Sequence, residues 1–442
     1  MRTIALVLVA VLGVFGEVSA QERRAADVPL TLEQLEQLAL ANNPTVQAAQ
    51  AEIDAARGRA RQAGAWPNPI VGYSGEEITA RTADPRGEHG FFVEQTIPLG
   101  GKLRLGRAVF ERAAEEADAR AEQQQRRIIS SVRTLFYQIL TGERRIEVHE
   151  RLTVLGSDAT GVTAQLFNVG AADRPDFLES EIETRRVQLE LTAARNQVFA
   201  LRQQLAAVTG RPEVATRPVT GTIDTAIPEL ERDATLQALI ERSPQVRAAR
   251  AAIARTQAAT ALARRQTSPD LFLRAGAAYN REHGEDTRRP IGWEGQVEAG
   301  ISIPLFNRNQ GGIAAARAEE TAAQAGLRRL ELALRAEAAT EFARYLTALR
   351  SAESFRADIL PRAEQAYVLY LARYREMGAA YPQVLVAQRT LFEMAREYLE
   401  HLETAWQAAL RLQGLLVGQG LDAPGTAEPI DVSVRAERGV RE

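Results

Sequence analysis

The chain has 442 residues, 45% hydrophobic and 25% charged, with a formal net charge of −3. That balance offers no basic surplus for nucleic acid or an anionic membrane surface. With no cysteine, disulfides, thiolate metal sites, Cys nucleophiles and a lipidated N-terminal Cys are excluded. Four His and three Met leave few ligands for a soft-metal site.

The N-terminus carries a targeting pattern. Arg2 supplies a positive n-region, Ile4 to Phe15 an apolar core, and Val18-Ser19-Ala20 the small residues of a cleavage site. A signal peptide over residues 1–20 is expected, with Gln21 as the mature start and a periplasm as the first destination. Beyond residue 20 no apolar run reaches the roughly 18 residues of a spanning helix. A membrane β-barrel, with its short alternating strands, stays open.

The chain then repeats itself. Asn43-Pro44-Thr45-Val46-Gln47-Ala48-Ala49 parallels Ser243-Pro244-Gln245-Val246-Arg247-Ala248-Ala249, and Pro67-Asn68-Pro69 parallels Ser268-Pro269-Asp270. Ile97-Pro98-Leu99 parallels Ile303-Pro304-Leu305, and Val169-Gly170-Ala171-Ala172 parallels Met377-Gly378-Ala379-Ala380. Four collinear matches indicate two copies of one unit, over 21–210 and 234–418. Residues 211–233 form the junction and 419–442 a tail.

Each copy opens with a helix, Asn43 to Gly64 and Ser243 to Thr267, for which Asn43 and Ser243 are expected N-caps ahead of a proline. Hairpins over 68–97 and 270–303 follow. Pro-free helical patterns then run over 102–169 and 312–377, interrupted only by Pro361, a site for a kink. A helix of about 67 residues spans about 100 Å at 1.5 Å per residue, which calls for coiled-coil packing. Its apolar seams are narrow, as in Val132, Leu135, Ile139 and Ile146, or Leu327, Leu330 and Leu334. Gly170 and Gly378 are expected to supply the left-handed backbone of tight reversals. Return helices over 176–209 and 382–417 complete the copies.

The strands carry a membrane signal. Trp293, Val297, Ala299, Ile301 and Ile303 alternate with Glu294, Gln296, Glu298 and Ser302. Leu271, Leu273, Ala275, Ala277 and Tyr279 alternate with Arg274 and Asn280, and Phe91, Val93 and Ile97 with Glu94 and Thr96. One apolar and one polar face fit an outer-membrane barrel. Four strands cannot close a barrel, for which eight is about the minimum, so several chains must share one.

This layout resembles the TolC family of outer-membrane efflux proteins over about Leu30 to Val417. Gln95-Thr96-Ile97-Pro98-Leu99-Gly100-Gly101-Lys102 and Ile303-Pro304-Leu305-Phe306-Asn307-Arg308-Asn309-Gln310-Gly311 resemble its CzcC branch, which serves heavy-metal efflux by resistance-nodulation-division (RND) pumps. The resemblance implies a homotrimer. Four strands per subunit would form a 12-stranded outer-membrane β-barrel, continued by a periplasmic α-barrel of long helices. Leu30 to Asn42, Arg211 to Asp233 and the C-terminal tail would lie at an equatorial belt, and the membrane hold would rest on the β-barrel. The implied partners are outer-membrane lipid, a periplasmic adaptor (membrane fusion protein) and an inner-membrane RND pump.

The resemblance also places the helix reversals at a periplasmic tip that closes the tunnel and docks the adaptor. Its residues there are Gly170, Asp173, Arg174, Asp176, Tyr374, Arg375, Glu376, Gly378 and Tyr381. A carboxylate ring and helix capping are both open for Asp176. Tyr367, Tyr370 and Tyr374, at helical spacing, read as packing. Glu94, Glu294 and Glu298 would give an acidic barrel lumen that favours cations. No catalytic set, nucleotide loop, cofactor site or metal site is visible, and His89 and His283 read as solvated hairpin residues. The chain is expected to be an exit duct and not an enzyme. Drug efflux, type I protein secretion and a soluble periplasmic adaptor stand as alternatives.

Overall fold

The structure, a computed structural model, describes residues 29–78, 87–223, 227–283 and 290–414, with the His283 side chain excepted. The expected signal peptide, the tips of both hairpins and the C-terminal tail lie outside the described residues. The elements are α1 (Leu32–Asn42), α2 (Pro44–Ala63), β1 (Ile70–Glu76), β2 (Glu88–Pro98), α3 (Lys102–Asn168), α4 (Arg174–Thr209), α5 (Arg232–Arg242) and α6 (Pro244–Arg265). They continue with β3 (Asp270–His283), β4 (Pro290–Ile301), α7 (Gln310–Ser354), a π-helical turn (Phe355–Ile359), α8 (Leu360–Arg375) and α9 (Tyr381–Gln413). Two compact units share these elements. The first takes the described residues up to Ala48, those of Ala121–Ser243 and those from Glu331 on; the second takes those of Ala49–Arg120 and Pro244–Leu330.

The second unit holds one antiparallel sheet of order β1-β2-β3-β4. Its central pairing, Glu88↔Asn280 through Pro98↔Asp270, joins the strands of one sequence copy to those of the other. Because side chains alternate along a strand, this register sorts them onto two faces. Phe91, Val93, Leu273, Trp293, Val297 and Ile301 lie on one face, and all are exposed. Glu88, Glu94, Arg274, Asn280, Glu294 and Glu298 lie on the other. The polar face also carries Phe92, which sits in register between Gly72 and Gly276. A Cβ at Gly72 would overlap the Phe92 ring, so the glycine makes room for the aromatic. Gly300 does the same for Phe272.

The strand-to-helix turn after β2 explains Leu99-Gly100-Gly101-Lys102. Gly100 and Gly101 have φ of 72° and 73°, and a Cβ at Gly100 would strike Ser268. Asp270 at the start of β3 accepts hydrogen bonds from the Leu99 amide (3.2 Å) and from Lys102 Nζ (2.8 Å). Deeper in this unit, Glu116 is 1% exposed. It accepts a 2.7 Å hydrogen bond from Arg255 Nε and pairs with Arg120 one helical turn on. Two guanidiniums on one carboxylate compensate its desolvation.

The first unit holds two apolar clusters. One gathers Leu35, Ile128, Val132, Phe136, Leu205 and Trp406. The other gathers Leu152, Val187, Tyr367, Leu371, Tyr381 and Leu391. The segment after α4 closes over the first cluster: Leu30 bridges Val219 in parallel, and Tyr345 donates to the Pro228 carbonyl at 2.7 Å. Helix α1 begins with a capping box, in which Thr31 Oγ1 accepts from the Gln34 amide and Gln34 Oε1 from the Thr31 amide.

Of the two expected N-caps, Asn43 acts as one. Its Oδ1 accepts from the Thr45 amide (2.9 Å), while its Nδ2 donates to the Val208 carbonyl (2.8 Å) at the end of α4. Ser243 differs: it is fully buried and its hydroxyl finds no partner, so the copied position keeps a small residue without the cap.

Pro361 does not end its helix. A proline lacks the amide of the i→i−4 ladder and clashes with the carbonyl four residues back. The preceding π-helical turn, in which the Leu360 amide donates to the Phe355 carbonyl, provides the widened register the ring needs.

Replacing Glu116 by Ala leaves two guanidiniums beside a buried gap. We expect a loss of about 3 kcal/mol of stability, read from chemical unfolding of the detergent-solubilised protein, with Glu116→Gln costing less.

Candidate functional site: the helix reversals and the polar sheet face

Both reversals lie in the first unit and are built alike. After α3, the Gly170 amide donates to the Phe167 carbonyl (3.0 Å) and the Ala171 amide to the Leu166 carbonyl (2.8 Å), with Gly170 at φ 75°. After α8, the Met377 amide donates to the Tyr374 carbonyl (3.0 Å) and the Gly378 amide to the Arg373 carbonyl (2.8 Å). The left-handed residue there is Met377, at φ 56°. This corrects the expectation for Gly378, which is structurally equivalent to Ala171. The sequence match of Gly170 with Gly378 is one residue out of structural register, because the hydrogen-bond pattern and not the residue type defines the turn. A side chain in this conformation costs about 1 kcal/mol, and Met377 is 72% exposed, so no packing offsets that cost.

The return helices start differently. Asp173 holds the N-cap position of α4 without a side-chain cap bond, and Arg174 and Pro175 follow. Asp176 follows at the third position of the helix, with its carboxyl near the Asp173 amide. Partial burial first, then the Asp173 charge, push the Asp176 carboxyl up from its ordinary range. In the second copy Ala380 takes the N-cap position and Tyr381 starts α9. Tyr374 and Tyr381 are buried, with ring centroids 5.8 Å apart. Their hydroxyls, near Thr163 and Ser180, make no hydrogen bond of normal geometry. Burial raises both phenols, and it pushes the fully buried Tyr367 to about 12, its hydroxyl donating to the Leu155 carbonyl at 3.1 Å.

Of the nine residues expected at the tip, the structure brings together Asp173 with Asp176 and Tyr374 with Tyr381. Asp173, Arg174, Arg375 and Glu376 are exposed. Among the described residues no ion pair joins Arg174 or Arg375 to the two aspartates. Tyr367 and Tyr374 are packed as expected, whereas Tyr370 is exposed.

On the sheet, Glu94, Arg274 and Glu298 fall in one register row, with the Arg274 guanidinium 3.8 Å from the Phe92 ring centroid. Glu294 lies two same-face rows away, opposite Ala278, and Asn280 Nδ2 donates to Glu88 at 2.7 Å. The polar face is thus of mixed sign at the Glu94 level, because Arg274 sits between the two carboxylates. His89 lies on the other face, with Nδ1 against the Tyr73 hydroxyl. Among the described residues no group of three or more His, Asp or Glu is arranged to hold a metal ion.

A family model, the outer membrane efflux protein, matches residues 35–211 and 235–418. The chain belongs to that family. The cobalt-zinc-cadmium resistance protein CzcC of Cupriavidus metallidurans is 27% identical over 393 residues, 89% of this chain and 91% of its own. The nickel-cobalt-cadmium resistance protein NccC of Alcaligenes xylosoxydans xylosoxydans is 26% identical over 69% of this chain and 67% of its own. Among solved structures, CusC superposes with a TM-score of 0.75 at 16% identity, covering 89% of this chain and 93% of that one. VceC of Vibrio cholerae does so at 0.72 and 20% identity, covering 88% and 96%. The mostly helical fold with four antiparallel strands is that of these channels. As an outer membrane efflux protein, the chain is a transport component of the outer membrane, and a system of this kind implies adaptor and pump partners.

Two expectations follow for this efflux protein. Gly170→Ala places a Cβ in the left-handed region and lowers stability by about 1 kcal/mol, whereas Met377→Gly removes one and raises it by a similar amount. Thermal unfolding of the two variants should move in opposite directions. The second concerns His149 on α3. It is buried, its Nδ1 has no hydrogen bond, and Glu190 is 3.7 Å away. Burial lowers its pKa below the ordinary 6.5. The unfolded chain therefore takes up this proton first, so the contribution to stability is full above pH 6.5 and is lost as pH falls toward the folded pKa. In His149→Gln the decline in unfolding midpoint below pH 6.5 should be shallower than in the parent.

Proposed function

We propose that this outer membrane efflux protein is the exit duct of a tripartite RND-type system and passively conducts heavy-metal cations from pump and adaptor to the exterior. The observation that carries this reading is the 27% identity to the cobalt-zinc-cadmium resistance protein over 89% of the chain, joined by a nickel-cobalt-cadmium resistance protein. The duct makes and breaks no covalent bond, and the pump supplies the energy.

In this reading three copies assemble. Each sheet leaves the outer edges of β1 and β4 without a strand partner among the described residues, and joining three sheets edge to edge closes a 12-stranded barrel. The polar face then lines the lumen, where Glu94, Glu294 and Glu298 outweigh Arg274 and favour cations by a bias, not a filter. The reversals form the periplasmic end. There Gly170, Asp173, Arg174 and Asp176 of the first copy meet the adaptor alongside Tyr374, Arg375, Glu376, Gly378 and Tyr381 of the second. The two structural repeats, 21–210 and 234–418, follow removal of residues 1–20.

The test is growth of a strain lacking this chain on zinc, cobalt, cadmium, nickel, copper and silver, beside dyes and detergents, with plasmid complementation. Selective metal sensitivity is the expected result and names the cargo. Sensitivity to dyes and detergents alone keeps the duct and removes the metal assignment.

A further inference from the structure

Beyond the end of β4 the chain does not fold its apolar residues inward. Ile303, Leu305 and Phe306 are all exposed, Phe306 to 92%. The segment is nevertheless fixed. The Ser302 amide donates to the Asp270 carbonyl (3.2 Å) and the Leu305 amide to the Ile303 carbonyl (2.9 Å). Asn309, at φ 52°, donates from Nδ2 to the Ala263 carbonyl (2.9 Å) and to Gln266 Oε1 (2.7 Å) at the end of α6. Gln310 Oε1 accepts from the Arg308 amide at 2.8 Å. The polar side chains hold the loop to its own unit, and the large apolar ones are left outside. A soluble surface gains nothing from that arrangement.

The apolar residues continue a face already described. Trp293, Val297 and Ile301 alternate onto the apolar side of the sheet, and the chain leaving the strand at Ile301 leads directly to the exposed Ile303, Leu305 and Phe306. The eight steps from Trp293 to Ile301 cover about 27 Å along the strand, or about 21 Å along the membrane normal at a tilt near 40°, which is most of the roughly 25 Å height of a barrel's lipid-facing band. Aromatics mark the hairpin end of that band, where Tyr279 packs edge-on against Trp293. At the opposite end, Phe306 and the exposed Trp66, which precedes β1, stand where a second aromatic girdle belongs. Arg308, Arg264 and Arg265 are exposed on the same end of the unit.

We infer that the Ile303–Arg308 loop is a membrane anchor. Ile303, Leu305 and Phe306 enter the headgroup–acyl boundary of the periplasmic leaflet, and Arg308 meets glycerophospholipid phosphates. This rests on the reading that the apolar sheet face meets lipid. It adds to that reading a second hold on the membrane, outside the strands.

The chain's lack of cysteine makes the test direct. Nitroxide labels go singly onto the full-length Val297→Cys and Phe306→Cys variants, reconstituted in phosphatidylethanolamine/phosphatidylglycerol vesicles. Collisions with oxygen, which partitions into lipid, and with a water-soluble nickel chelate then report depth. The expected result is a deep label at 297 and a label at headgroup level at 306, with the chelate severalfold less accessible than in water. A label at 306 open to the chelate as in water, with 297 in lipid, overturns the anchor and keeps the barrel. A label at 306 shielded from both reagents shows a protein neighbour on the loop and also overturns it. A label at 297 that lies outside lipid overturns the reading of the sheet itself, and the anchor with it.

Discussion

A strand that meets hydrocarbon must give every backbone amide and carbonyl a partner, because no water is present to take its place. The ladder between β2 and β3 meets that demand across the two sequence copies, and the other features of the second unit depend on it. Its register decides which side chains share the apolar face and which the polar one. It lines up Gly72 and Gly276 around Phe92 and brings Asp270 beside the turn that launches α3. Among the described residues the outer edges of β1 and β4 have no strand partner, and in the proposed duct neighbouring copies supply it.

The helical unit obeys a different economy. Many of its buried positions are small, as in Ala405, Ala408 and Ala409 of α9, and specific polar contacts fix the register. Thr160 donates to the Ser180 carbonyl at 3.0 Å, and Arg389 donates to the buried Glu183 at 2.7 Å. Asn43 ties the start of α2 to the end of α4. Contacts of this kind are costly to leave half made, which selects one alignment of long helices that could otherwise slide.

Much of this was legible from the residues. The period-two alternation on β3 and β4 and the proline-free stretches are local signals, whereas the glycines after Leu99 entered as a family resemblance and only the structure shows the turn they form. What escaped was set at a distance or by backbone register. The helix Leu32–Asn42 was announced by Thr31 and Gln34, a capping box read instead as part of a belt segment. Residues 232–242 carry no such signal and form α5 all the same. The hydroxyl of Ser243 resembles a cap in sequence, but burial and not capping occupies the site. Gly378 looked like the left-handed residue because glycine is the usual choice, whereas the closing hydrogen bonds select Met377. At the candidate site the burial of Tyr367 and Tyr374 follows from their helical spacing, whereas the pairing of Tyr374 with Tyr381 joins two helices and is not visible in either. The mixed charge around Arg274 needed the strand register, which no single strand contains.

The π-helical turn before Pro361 sets the phase of everything that follows it. Before the turn, the buried positions Tyr345, Ala348, Ala352 and Phe355 advance by three and four. Past it the same rhythm resumes one residue late, at Tyr367, Leu371 and Tyr374. One residue is about 100° of rotation about a helix axis. The turn thus acts as a clutch between two stretches of one helix, and it aims the second stretch independently of the first. A relative that gained or lost a residue here would keep the stretch before the turn in place and rotate only the stretch that leads into the Met377 reversal.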